Sequence, residues 1–223
     1  MRPLTDTTPK PLLAVHGKPL MQWHLEALAS EGFADVTVNT AWLGDQIEAR
    51  FGDALQYSHE GRDFGAALET AGGIARALPA LHEVFWVLAG DVYTPGFVFS
   101  RDTFARFASG NKLAHIWLVP NPPHHPAGDF GLDTACGLEL NLPQHTPQQR
   151  FTYSTIGLYR KALFQPPNCA IAPGNPTGEK AALAPLLRSA MDAGQVSAEI
   201  YTGPWTDVGT PERLHQLNQT TSI

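Results

Sequence analysis

The run VFWVLAGD, residues 84–91, constrains the fold more than any other stretch of the chain. From Val84 to Ala89 every side chain is apolar, and the run stops at Gly90-Asp91. An unbroken apolar run of this length fits a strand buried on both faces, the usual condition of a parallel strand covered by helices. The flanking segments agree. Leu20, Met21, His24, Leu25 and Leu28 share one helical face and are followed by Gly32 as a C-terminal stop. The β-branched stretch 34–39 predicts a strand, 42–52 a helix ending at Gly52, 55–60 a strand, and 69–78 a helix with a glycine-rich start. Strand and helix alternate, which implies right-handed βαβ units and a doubly wound α/β sheet.

Beyond residue 110 the pattern changes. Residues 113–120 form another buried strand, followed by the Pro/His-rich NPPHHPAGDFGL and the short β-like stretches GLELNL and FTYSTIGLY. Leu183, Leu186, Leu187, Ala190 and Met191 make a late helical stripe, and the chain closes with two short strands and a helix. A length of 223 residues suits a single domain, with 1–110 and 111–223 as its halves.

Composition excludes several classes. No apolar run approaches the roughly 18 residues of a membrane span. The formal charge of -6 is scattered, so neither a nucleic-acid-binding stripe nor a polybasic membrane patch is present. Cys136 and Cys169 lack CxxC spacing and no secretory leader precedes them, which predicts reduced packing thiols and a cytoplasmic protein.

Several residues carry possible chemistry. Asp91 ends a central strand, where open α/β sheets place ligands, and Asp207 follows a short strand in WTDVGT. Two carboxylates converging on one site suit Mg²⁺ with phosphate oxygens; equally, each Asp can cap a neighbouring turn or helix. Lys10 lies in TPKP, where the prolines predict a stiff, extended backbone. It is either a point charge for phosphate or an ordinary exposed lysine. Gly72 and Gly73 in ETAGG offer bare backbone N–H groups to a base or phosphate, although a lone glycine pair is a weak signal. His124, His125 and Asp129 fit a zinc site, a polar pocket wall or a solvated loop, and adjacent histidines diverge too much to favour zinc. Thr155 and Gly157 belong to a core strand and can also face a ligand.

Taken in order, MRPLTDTTPKPL, NTAWLGDQI, LETAGGI, LAGDVYT, NPPHHPAGDF, YSTIGLY, KAALAPLLRSAM and WTDVGTPERL resemble the sugar-1-phosphate nucleotidyltransferases, most of all the N-acetylmuramate-1-phosphate uridylyltransferases of bacterial cell-wall recycling. The resemblance runs nearly end to end. It implies a Rossmann-like, doubly wound mixed sheet, Mg²⁺ as cofactor, and UTP and a sugar 1-phosphate as partners of a monomer or small homo-oligomer. It makes Lys10 the phosphate-contacting lysine, with Arg2 in the same signature, and Asp91 and Asp207 the metal carboxylates. Thr70, Gly72 and Gly73 match the nucleobase-contacting turn, with Ala71 replacing one glycine of the usual three. Asp129, Thr155 and Gly157 match the sugar side, and His124 and His125 are candidates for its wall. Lys180 lies near a position where relatives carry a lysine. Related activities, with mannose or glucose 1-phosphate and GTP or dTTP, and a non-catalytic nucleotide-sugar-binding remnant remain as alternatives.

In the family, MRPLT follows a hydrophobic strand and a phosphate-wrapping loop of the type L-A-A-G-x-G-x-R. The resemblance therefore implies an N-terminally truncated chain, whose Met1 corresponds to an internal methionine of a longer product and whose activity suffers from the missing strand and backbone donors.

Overall fold

The computed structural model describes residues 1–133, 142–144 and 150–220; Cys136 and most of GLELNL lie outside them. The helices are α1 (Leu4–Thr7), α2 (Leu20–Ser30), α3 (Gly44–Phe51), α4 (Glu60–Phe64), α5 (Glu69–Ala77), α6 (Arg101–Ser109), α7 (Leu183–Asp192) and α8 (Pro211–Gln219). The strands are β1 (Ala14–Val15), β2 (Lys18–Pro19), β3 (Thr37–Thr40), β4 (Gln56–His59), β5 (Val84–Val87), β6 (Val92–Tyr93), β7 (Ala114–Val119), β8 (Phe130–Asp133), β9 (Leu142–Gln144), β10 (Arg150–Arg160), β11 (Val196–Ile200) and β12 (Thr206–Asp207). Among the described residues no helix is long and apolar enough to cross a membrane.

Contacts gather into two compact units interleaved along the chain. One comprises Met1–Ala67, Ala89–Arg101 and Gly203–Ile223; the other comprises Leu68–Leu88 and Asp102–Thr202.

The second unit is built around β10. β7 pairs with it from Thr152 to Tyr159, β8 at Arg150 and Phe151, and β5 from Gly157 to Arg160, all antiparallel. β11 adds to β7 in parallel, giving the order β11-β7-β10-β8-β9. The sheet is mixed, as the resemblance implies. The parallel pairing suggested by the apolar run 84–87 is corrected: β5 lies antiparallel to β10. An all-apolar strand reports burial on both faces, and burial does not specify direction. Here the run is covered because α5, the 3-10 turn that follows it and α7 bring Ala71, Ile74, Leu78, Leu183, Leu187 and Met191 onto Phe85, Ile116, Leu118 and Tyr159 in one core.

The first unit carries parallel β3–β4, the β1–β2 hairpin and the short antiparallel ladder β6–β12. Its core joins Leu13, Val15, Leu20, Tyr93 and Val208, with Trp23, Leu214 and Leu217 packed against it. α2 stops where expected: Gly32 takes a positive φ of 76°, and its N–H donates to Ala29 O at 2.9 Å.

Candidate active site

In the first unit Lys10 meets Asp91, and backbone packing explains the meeting. Lys10 opens a 3-10 turn, Lys10–Leu12, following Pro9 at φ -66° and ψ 143°. The extended path expected around Lys10 therefore holds only as far as Pro9. The turn lays Pro11 against Gly90, where an added Cβ would stand 3.1 Å from Pro11 Cγ. Glycine lets the two segments come this close without displacing Pro11. Lys10 Nζ consequently sits 3.3 Å from Asp91 Oδ2. The two side chains are 42% and 37% exposed, so the pair is weak in water and free to exchange partners with an incoming anion or cation.

Asp207 reaches the same place through the sheet. β12 pairs with β6 so that Asp207 stands opposite Val92, and Val208 N–H donates to Asp91 O at 2.8 Å. Asp207 is not the cap of α8: Thr210 is, its Oγ1 accepting from Arg213 N at 3.3 Å. Pro11 and Gly90 thus set Lys10 beside Asp91, while a two-residue ladder brings the backbone of Asp207 next to that of Asp91 and Val92. Arg213, one turn into α8, donates through Nη1 to Asp207 O at 3.0 Å and to Asp207 Oδ2. Sequence reasoning missed Arg213; its only signal is a cation one turn inside a helix whose start, Thr210-Pro211, is strongly marked.

The donor set fits a small hard cation. Asp91 directly precedes β6 and Asp207 ends the paired β12, and among the described residues no cluster of three or more His, Cys, Asp or Glu side chains is placed to hold a metal. A cation held there would need further oxygens from ligand or water, as Mg²⁺ takes in phosphate-handling sites. The Arg2 side chain is 89% exposed and pairs with Asp6 at 3.3 Å.

In the second unit, Thr70, Gly72 and Gly73 occupy the opening of α5, after Glu69 at a φ of 60°. Thr70 is exposed and the glycines are buried. The expected bare amide at Gly72 is corrected: the N–H groups of Ala71 and Gly72 donate to Ala181 O at 2.9 and 3.1 Å. A Cβ on Gly72 would stand 2.5 Å from Glu179 O, so this glycine admits the chain's own segment 179–181. Asn175, fully buried and unremarked in the sequence, clamps that segment: its Nδ2 donates to Gly72 O and Glu179 O, and its Oδ1 accepts from Glu179 N. Lys180 is exposed between these contacts.

Asp129 is bonded through both carboxylate oxygens. Oδ2 accepts from Tyr153 N at 2.9 Å and Oδ1 lies 3.1 Å from His125 Nε2, while His124 is exposed. Gly157 is buried between β7 and β5, where a Cβ would meet the Tyr159 ring at 2.7 Å. Thr155 sits at the break in register between Tyr153 and Gly157, with a positive φ of 68°. Its Oγ1 is buried without a hydrogen-bond partner. A β-branched residue in the left-handed region with an unmet hydroxyl combines two costs, a pattern that concentrates at binding sites. A separate cavity of about 120 Å³ lined by Arg106, Lys112, His115 and Ser197 among others involves none of these residues.

Comparison with known proteins places this geometry. The family model described as nucleotidyl transferase matches residues 1–135. The chain is 44% identical over 227 residues to the N-acetylmuramate alpha-1-phosphate uridylyltransferase of Neisseria meningitidis serogroup B, covering 97% of this chain and 90% of that protein. It is 26% identical to the glucose-1-phosphate thymidylyltransferase of Streptomyces griseus, covering 98% of this chain but 62% of the relative. Among solved structures, a Bacillus anthracis protein assigned as a glucose-1-phosphate thymidylyltransferase, in complex with sucrose, superposes with a TM-score of 0.73 at 18% identity. That match covers 98% of this chain and 88% of the other, and it supports the fold alone. With a family model spanning more than half of the sequence and a relative aligned along nearly all of it, the chain belongs to the nucleotidyl transferase family.

Proposed function

We propose that the protein transfers the uridylyl group of UTP to N-acetylmuramic acid 1-phosphate, giving UDP-N-acetylmuramic acid and pyrophosphate, with Mg²⁺ as cofactor, in cytoplasmic recycling of cell-wall sugar. The observation that supports nucleotidyl transfer is the Lys10–Asp91 ion pair next to the β6–β12 ladder, on which Asp207 lies. The choice of sugar and nucleotide rests on the likeness to the Neisseria protein along almost the whole chain.

A phosphate oxygen of the sugar 1-phosphate attacks the α-phosphorus of UTP, and the bond from that phosphorus to the β-phosphate bridging oxygen breaks as pyrophosphate leaves. The attacking oxygen is already ionised, so no side chain need act as a base. The protein's task is positioning and charge. Lys10 trades Asp91 for a phosphate oxygen as a point charge. Asp91 and Asp207 would hold Mg²⁺, which when bound would neutralise charge on the phosphates. Arg213 keeps Asp207 oriented, and Arg2 adds positive charge at the margin. Thr70 and Gly73 serve the base, Gly72 acting through packing. Thr155 offers its hydroxyl to the sugar, and Asp129, Gly157 and the His124–His125 turn shape that wall.

The test is pyrophosphate release with Mg²⁺, UTP and N-acetylmuramic acid 1-phosphate, beside Asp91→Asn and a panel of glucose and mannose 1-phosphates with dTTP and GTP. Turnover that needs Asp91 and prefers the muramic substrate is expected. Preference for another pair reassigns the substrate, and binding without turnover removes the catalytic reading.

A further inference from the structure

We infer that His24 is a positioning residue for the carboxylate pair, gripping the ladder that carries Asp91 and Asp207; this rests on the metal-site reading above. His24 lies on α2, only 4% exposed, with Nε2 at 2.9 Å from Val92 O. A carbonyl only accepts, so Nε2 carries the hydrogen. Val92 directly follows Asp91 and stands opposite Asp207 in the β6–β12 register.

A ladder of two residues per strand has little stability of its own, so its geometry depends on what holds it from outside. α2 supplies two holds. The Trp23 ring meets Tyr93 edge-on at 5.4 Å between centroids, and the Trp23 indole N–H is tied to Val15 O at 3.2 Å. The neighbouring His24 reaches the backbone itself. The helix is in turn fixed by buried Leu20, Met21 and Leu28. A hydrophobic side chain at position 24 would fill the space yet leave the Val92 carbonyl unpaired and the Val92–Tyr93 peptide without its hold from α2. A shift of Val92 would carry the adjoining Asp91 with it and, through the bond from Val208 N to Asp91 O, reach the strand that bears Asp207. Side chains that orient metal ligands from behind exert large effects on metal affinity.

The experiment compares His24→Gln and His24→Asn in the full chain. The Gln amide nitrogen lies as far along the side chain as Nε2, whereas the Asn amide falls one bond short. Mn²⁺ binding is followed by electron paramagnetic resonance with the metal alone and with UTP, together with the Mg²⁺ concentration for half-maximal rate and KM for the sugar phosphate. His24→Asn should weaken Mn²⁺ binding about tenfold and raise the Mg²⁺ requirement in parallel, with KM for the sugar phosphate unchanged and His24→Gln close to wild type. Equal Mn²⁺ affinity in wild type and folded His24→Asn overturns the inference, as does a His24→Gln protein as weak as His24→Asn. Wild type whose Mn²⁺ binding survives Asp91→Asn refutes the metal site itself, a separate failure read in the same titration.

Discussion

Lowering the pH from 7 to 5 should destabilise this protein strongly through two buried histidines. His24 and His115 are 4% and 2% exposed, and burial pushes the pKa of each from 6.5 down to about 4; for His115 the nearby Arg106 guanidinium pushes the same way. The unfolded chain takes up a proton at each ring below pH 6.5, whereas the folded chain refuses it until about pH 4. Stability is therefore fully present above the unfolded value and falls with pH across this window, by about 1.4 kcal/mol per pH unit per histidine. At pH 5 that is about 2 kcal/mol for each ring and about 4 kcal/mol together, a large part of a typical net stability of about 5–15 kcal/mol. Carboxylates do not mimic this loss. Glu26, lowered chiefly by the Lys18 hydrogen bond, and Glu212, lowered chiefly by a backbone hydrogen bond, start from 4.5 and lose their contribution only below it. Urea denaturation at pH 7, 6 and 5 on wild type, His24→Gln, His115→Gln and the double variant is the assay. Each single variant should remove about half of the pH dependence and the double variant nearly all of it. A wild-type stability that is level between pH 7 and 5, or a double variant as steep as wild type, refutes the reasoning.

Thr155→Gly should raise stability by about 1 kcal/mol, because the left-handed backbone at φ 68° no longer carries a branched side chain, while kcat/KM for the sugar phosphate falls with the hydroxyl; a less stable variant in urea melts contradicts the strain. Gly72→Ala should cost about 1–3 kcal/mol, since its Cβ would lie 2.5 Å from the Glu179 carbonyl oxygen, and a wild-type melt would show that segment 179–181 yields easily. Gly90→Ala forces Pro11 aside from 3.1 Å and should lower kcat/KM about tenfold with little change in melting; unchanged kinetics would mean that Lys10 placement does not depend on that contact.

The parts of the fold that were legible in the sequence are those in which a residue's role is set by its near neighbours along the chain. α2 and α7 could be read because Leu20, Leu28, Leu183 and Leu187 repeat at helical spacing and each helix buries the face that the repeat defines. Lys10, Asp91 and Asp207 were legible as charges at strand and turn ends; the structure pairs Lys10 with Asp91 and sets Asp207 opposite Val92. The direction of β5 was not legible, because its partner β10 is some seventy residues away and an apolar run carries no sign of orientation. His24, Asn175 and Arg213 were not legible as holders of the site. Each acts on backbone carbonyls, and a carbonyl is present at every position and leaves no mark on residue choice. Gly72 shows the sharper limit. Its residue type states that something must come close, which is true, but the visitor is Glu179 and Ala181 of the same chain. A glycine specifies room, and only the arrival of a distant segment decides whether that room belongs to a ligand or to the fold. Thr155 is the converse: no local pattern asks for a threonine at a positive φ, and the sheet holds it there with its buried hydroxyl unmatched. Where the chain meets its own needs, as at Gly72, substitution should register first in stability; where it leaves a need unmet, as at Thr155, it should register first in binding.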